Sequence, residues 1–176
     1  MRFGPEIYKM ANDNNSPGNA SALLKEFCNQ IKTGSDEVVL EALETLDFLK
    51  SQGVQFTPYV MATLRDALNN PNPAVVNRTI RVIETEGVAA FEIDGMREAF
   101  MLLTEHKSPN IVFFAIGVLT PCPGEDITNL IKKIADDPET HHKVKRGALI
   151  SLERRAALLN IPVTGDHSLG GGPVGT

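Results

Sequence analysis

The sequence predicts an all-α chain wound as a right-handed α–α superhelix of about four helix pairs. Three observations carry that prediction. Helix starts of similar chemistry recur along the chain, at "GSDEVVLEALETL", "NPAVVNRTIRVI" and "SPNIVFFAIGVL". The apolar residues that follow them superimpose at offsets of 37, 36 and 33 residues. Glycines punctuate helix ends at Gly53 in "SQGVQF" and Gly87 in "TEGVAAF". Units of this length that each expose an apolar face bury it by stacking.

The first helix of each pair carries Leu23, Phe27 and Ile31, then Val60, Leu64 and Leu68, then Met96, Phe100 and Leu103, then Ile127, Ile131 and Ile134. The second helices start at predicted N-caps Ser35, Asn72 and Ser108. Pro73 and Pro109 take the first helical position, where a missing N–H breaks no intrahelical bond and the fixed φ suits a helix. In the second helices Val38, Val75, Ile111 and Val144 share one position. Ala42, Thr79, Ala115 and Ala148 share the next, and their small side chains let helices approach. Leu43, Ile80, Ile116 and Leu149, then Leu46, Ile83, Leu119 and Leu152, complete a stripe with the i, i+4, i+5, i+8 spacing of one helix face. Gly53 and Gly87 are expected in the left-handed conformation that closes a helix.

The repeats occupy residues 20–160. Residues 1–19 read as an N-terminal segment and polar linker, with "ANDNNSPGNA" too turn-rich to pack and Phe3, Ile7 and Tyr8 available for docking. Residues 161–176 read as a flexible Gly-rich tail.

Bulk properties agree with one globular domain: 176 residues, 42% hydrophobic and 22% charged, without Trp. The net charge of −5 argues against general nucleic-acid binding through phosphate neutralisation. Two cysteines, Cys28 and Cys122, form neither a disulfide framework nor a zinc site by themselves, which fits a reduced, cytoplasmic setting. The first residues lack the apolar core of a signal peptide, and no stretch has the length of a transmembrane segment.

"LNNPNPAVVNRTIRVI" and "IADDPETHHKVKRGALISL" resemble the inter-helix segment of the HEAT/armadillo family, an Asp/Asn-Pro turn followed by a Val-Arg/Lys helix start. The Arg of that pattern appears here only as Lys145 or Arg146, and the first and third units lack it. The resemblance implies a solenoid that works as a scaffold or adaptor for protein partners. "VVLEALETLDFLKSQGVQF" resembles part of the VHS domain of endosomal sorting adaptors, over one helix and a turn.

Motifs with catalytic overtones read better as structure. "HSLGGGPVG" has neither the strand nor the helix that aims a phosphate loop. His141 and His142 are adjacent, whereas two helical metal ligands need i, i+4 spacing. Cys122 in "TPCPGED" has no marked base, and Cys28 falls on an apolar helix side. Glu125-Asp126 suits a helix N-terminus, and Asp136-Asp137-Pro138 a turn. The sequence thus marks no catalytic residue, metal site or cofactor.

The informative surface is the outward face of the second helices. Glu41, Arg78, Phe114 and Gly147 form one ladder across the units, and Glu44, Arg81, Gly117 and Ile150 a second. The first of these helices is acidic through Asp36, Glu37, Glu41, Glu44 and Asp47. The last is basic through Lys143, Lys145, Arg146, Arg154 and Arg155. The plain expectation is a row of solvated charges. The functional expectation is a face that binds a protein or peptide through Glu41, Glu44, Arg78, Arg81, Phe113, Phe114, Lys145 and Arg146. The adjacent Phe113 and Phe114 cannot both face one core, which leaves one as an exposed anchor. Arg78 and Arg81 can instead pair internally with Glu41 and Glu44. Two further readings stay open: homo-oligomerisation through the acidic and basic ends, and an enzyme accessory or lyase using Cys122 or His141.

Overall fold

The computed structural model describes residues 17–159. They form eight α-helices and one 3-10 turn: α1 (Pro17–Thr33), α2 (Asp36–Ser51), α3 (Pro58–Ala67), α4 (Pro73–Glu84), the 3-10 segment Gly87–Glu92, α5 (Met96–Leu103), α6 (Pro109–Leu119), α7 (Glu125–Asp136) and α8 (His142–Leu159). Among the described residues there is no strand, and the chain is an α-solenoid. The expected tail, and the first residues of the expected linker, lie outside the described residues. Helix α1 opens at Pro17, earlier than the boundary at residue 20 read from composition. A proline suits the first turn of a helix, so this turn-rich stretch already carries a helix start.

The helices stack in two layers. Each odd-numbered helix packs on the even-numbered helix that follows it, and α2, α4, α6 and α8 then pack side by side in series. In the other layer α1 lies along α3, but α3 meets α5 only thinly.

The repeat register places the core as expected at most positions. Ala42, Thr79, Ala115 and Ala148 are buried at the second-helix contacts. Leu43, Ile80, Ile116, Leu46, Ile83 and Leu119 are also buried, each contributing about 1.5–3 kcal/mol by leaving water. The ends of the stack depart from the pattern. Val75, Ile111 and Val144 are buried, but Val38 is 39% exposed, because no earlier second helix among the described residues covers that side of α2. Leu149 and Leu152 are half-buried for the mirror reason at the last unit. Two further rows are buried, the all-valine row Val39, Val76 and Val112 and the mixed row Thr45, Val82, Val118 and Ser151. The hydroxyls in the second row find partners. Thr45 donates to the Glu41 carbonyl at 2.9 Å, and Ser151 accepts from Thr120 at 2.9 Å.

Polar hooks join successive units. Asn72 donates to Asp36 at 2.8 Å, Arg65 to the Asp94 carbonyl at 2.6 Å, and Lys143 to Asn110 at 2.7 Å. Lys50 pairs with Glu86 and Arg97 with Asp126.

The turns follow the expected chemistry in part. Asn72 caps α4 by accepting from the Ala74 N–H at 2.9 Å, with Pro73 next. Ser35 and Ser108 occupy N-cap positions but make no side-chain cap. In place of the latter, the His106 ring accepts from the Ser108 N–H at 2.9 Å. Gly53 and Gly87 have φ of +86° and +60°, as closing glycines require.

Candidate binding face

Helical spacing brings one set of positions to the open side of the second helices. On α2 it holds Glu37, Glu41 and Glu44, all exposed, and on α4 Asn77, Arg78 and Arg81. Helix α6 contributes Phe113, Phe114 and Gly117, and α8 contributes Lys143, Arg146, Gly147, Ile150 and Arg154. The side-by-side packing of these four helices makes the face continuous.

Of the sequence-predicted residues, Lys145 stands off this face, at the repeat position of the buried Val39, Val76 and Val112. Arg78 is half-buried and lies 3.7 Å from the Asp47 carboxylate, an ion pair too long for a hydrogen bond. The expected internal ladder from Arg78 and Arg81 to Glu41 and Glu44 therefore takes a different form, since Asp47 is the acid turned towards α4. Arg81 is exposed and makes no ion pair or hydrogen bond among the described residues. Phe113 and Phe114 are both half-buried and meet edge to face, with centroids 5.6 Å apart. Neither stands free as an anchor. Phe113 lies against Gly147, where an added Cβ would come within 2.7 Å of the ring. Lys143 sits 5.1 Å over the same ring. Phe114 packs partly on the core and keeps one side towards the face. One turn on, Gly117 is exposed, and a Cβ there would meet nothing within 4 Å, so this position opens on free space. Lys145 is half-buried and Arg146 exposed.

The comparisons with known proteins bear on this arrangement. No protein-family model and no curated protein matches the chain. Among solved structures, a designed armadillo repeat protein in complex with the peptide (KR)4 superimposes with a TM-score of 0.56 at 15% identity. The match covers 85% of this chain and 72% of that one. The fold is an armadillo/HEAT-like helical repeat. Among the described residues of this armadillo-like stack, no helix is long and apolar enough to cross a membrane.

Two residues of the armadillo-like fold escaped the sequence reading. Asn77, next to Arg78, has its Oδ1 buried without a hydrogen-bond partner among the described residues. An unsatisfied buried carbonyl oxygen is costly. Its signal in the sequence was a lone polar residue one step from the arginine ladder. Arg155 corrects an expectation. It was grouped with the solvated charges of α8, yet it is 1% exposed. Its guanidinium donates to the carbonyls of Leu119 at 3.2 Å, Thr120 at 2.9 Å, Gly124 at 2.8 Å and Cys122, and to the Thr128 hydroxyl at 2.9 Å. The Leu119 and Gly124 carbonyls also accept from the Cys122 and Thr128 N–H groups, so the fork adds to bonds that the end of α6 and the following loop already make. Burial lowers the Arg155 pKa from the usual guanidinium value, partly offset by the Cys122 and Asp126 charges.

The residues with catalytic overtones sit differently. Cys122 is buried in the loop that Arg155 holds, and burial pushes its thiol up against the opposing pull of Arg97 and Arg155. A raised thiol is a poor nucleophile. His141 and His142 stand exposed at the start of α8, their ring centroids 4.3 Å apart, and the His141 ring accepts from the Lys143 N–H at 3.2 Å.

Proposed function

We propose that the protein is a non-catalytic interaction scaffold that holds a segment of a protein partner along its second-helix face. The observation that carries this reading is the centre of that face. Among the described residues Arg81 makes no ion pair or hydrogen bond, Arg78 is only loosely engaged, and the exposed Gly117 stands on the next helix of the face. An arginine fork takes a carboxylate with two parallel hydrogen bonds, and the open space at Gly117 admits a side chain of the segment. Glu41 and Glu44 extend the contact at one end, Lys145 and Arg146 at the other. The armadillo-like neighbour carries a peptide, which supports a segment as the kind of ligand such a stack holds. The reading as a scaffold also fits the burial of Cys122 inside its loop.

The test is affinity purification with the Arg78→Glu, Arg81→Glu double variant beside the unaltered chain. The variant is expected to keep its far-UV spectrum and lose the partner. A folded variant that keeps the partner would remove this site. Loss of stability by up to about 1 kcal/mol with the partner retained would mark the arginines as surface ion-pair partners only.

A further inference from the structure

The burial of two repeat rows tells which way each second helix faces. Val75, Ile111 and Val144 are buried, whereas Val38, at the same position of α2, is 39% exposed. This row therefore turns towards the preceding second helix. Val39, Val76 and Val112 are buried, whereas Lys145, at the same position of α8, is half-buried. That row turns towards the following second helix. Helix α2 thus aims an apolar side chain at a neighbour that the described residues do not supply.

Residues 1–16 lie outside the described residues, and their sequence carries the missing register. Pro5, Ile7, Tyr8 and Ala11 repeat the spacing of Pro73, Val75, Val76 and Thr79 in α4 and of Pro109, Ile111, Val112 and Ala115 in α6. The offset from Ile7 to Val38 is 31 residues, beside 37, 36 and 33 for the later units. Residues 12–16 then lead to α1, as residues 52–57 lead from α2 to α3 and 120–124 from α6 to α7. Asn12 stands where the later units have Leu43, Ile80 and Ile116, so the match stops after about two turns.

We infer that residues 5–11 are a capping half-unit, a short second helix laid along α2 with Tyr8 seated on Val38. Proline at its first position suits a helix start. A helix this short is not stable alone, so its order comes from the contact with α2. Glu6 and Lys9, between the matching positions, give it the polar outer side that a terminal unit of a stack requires. The occupant of the Val38 side is therefore the chain's own N-terminal segment. The cap closes the end of the stack to a second copy and leaves the outward second-helix face open.

The first experiment is disulfide trapping in the full chain with Cys28→Ala and Cys122→Ala. Val38→Cys is paired with Tyr8→Cys or with Met10→Cys, which falls on the opposite side of the segment. In a glutathione redox buffer the 8–38 pair is expected to close within one chain about ten-fold faster than the 10–38 pair, because a disulfide needs its Cβ atoms within about 4.5 Å. Equal rates for the two pairs would remove the register and overturn the inference. Dimers joined through position 38 in place of the intramolecular bond would assign that side to a second copy and overturn it as well. The second experiment needs no cysteine change. Ile7→Asp, Tyr8→Asp in the otherwise unaltered chain is expected to speed amide hydrogen exchange of residues 39–43 about ten-fold and to leave residues 112–116 unchanged. Exchange of residues 39–43 that stays the same in this variant would show that the segment does not cover α2.

Discussion

Arg155 shows how one side chain can close a repeat. It joins the end of α6, the proline-flanked loop and the first turn of α7, and its planar fork supplies donors to several carbonyls at once. Replacing it with Met keeps the stem but removes the donor from the Thr120 and Cys122 carbonyls. The expected loss is about 3 kcal/mol in urea unfolding, and Arg155→Lys should recover only part of it. A midpoint unchanged in Arg155→Met would mean that water replaces the fork at no cost. The two thiols give a second residue-scale expectation. Burial raises both Cys28 and Cys122, so the folded state keeps its thiol protons to higher pH than the unfolded chain. Stability from these thiols is therefore full below the unfolded thiol value of about 8.5 and declines as pH rises through the higher folded values. The Cys28→Ala, Cys122→Ala variant should show a flatter decline above that pH, read from denaturation midpoints between neutral and alkaline buffer. Neither feature was legible in the sequence. A buried arginine looks like its exposed neighbour Arg154 until the loop carbonyls are in place.

At the scale of the element, helix α6 separates a packed position from an open one within a single turn. Ala115 is buried where α6 meets its neighbours, while Gly117 faces open space. Ala115→Leu should overpack the contact and cost about 1–3 kcal/mol. Gly117→Ala should stabilise the helix by up to about 1 kcal/mol, since an exposed helical glycine carries a backbone entropy penalty and the new methyl meets nothing. Thermal melts of the two variants check both signs. If Ala115→Leu is neutral, the register of the repeat is wrong. The small-residue row and the two leucine/isoleucine rows were readable because apolar side chains at helical spacing have few alternatives to burial. The row Thr45–Val82–Val118–Ser151 was less readable. Thr and Ser look polar in sequence, yet their hydroxyls bond back to the helix or to each other and so enter the core. Val38 failed in the opposite direction, because burial of that row depends on a preceding helix.

For the whole molecule, the two-layer stack explains why the second-helix face is the surface to test. Its helices pack in unbroken series, so side chains from separate units form one continuous strip. The repeat register predicted which residues share that strip. It did not predict that Arg78 would turn to Asp47, that Phe113 would be roofed by Lys143 and Gly147, or that Asn77 would hold an unpaired oxygen. Those outcomes depend on side-chain directions between helices, which the spacing along one helix does not contain. Site-specific photo-crosslinking tests the central claim most directly. A photoreactive side chain at position 117 enters open space, and one at the exposed Leu102 on the first-helix layer serves as its counterpart. The account predicts that illumination in a cell extract joins a partner segment to position 117 and not to position 102, with the cross-link lost in the Arg78→Glu, Arg81→Glu background. Capture at position 102 with none at position 117 would contradict it.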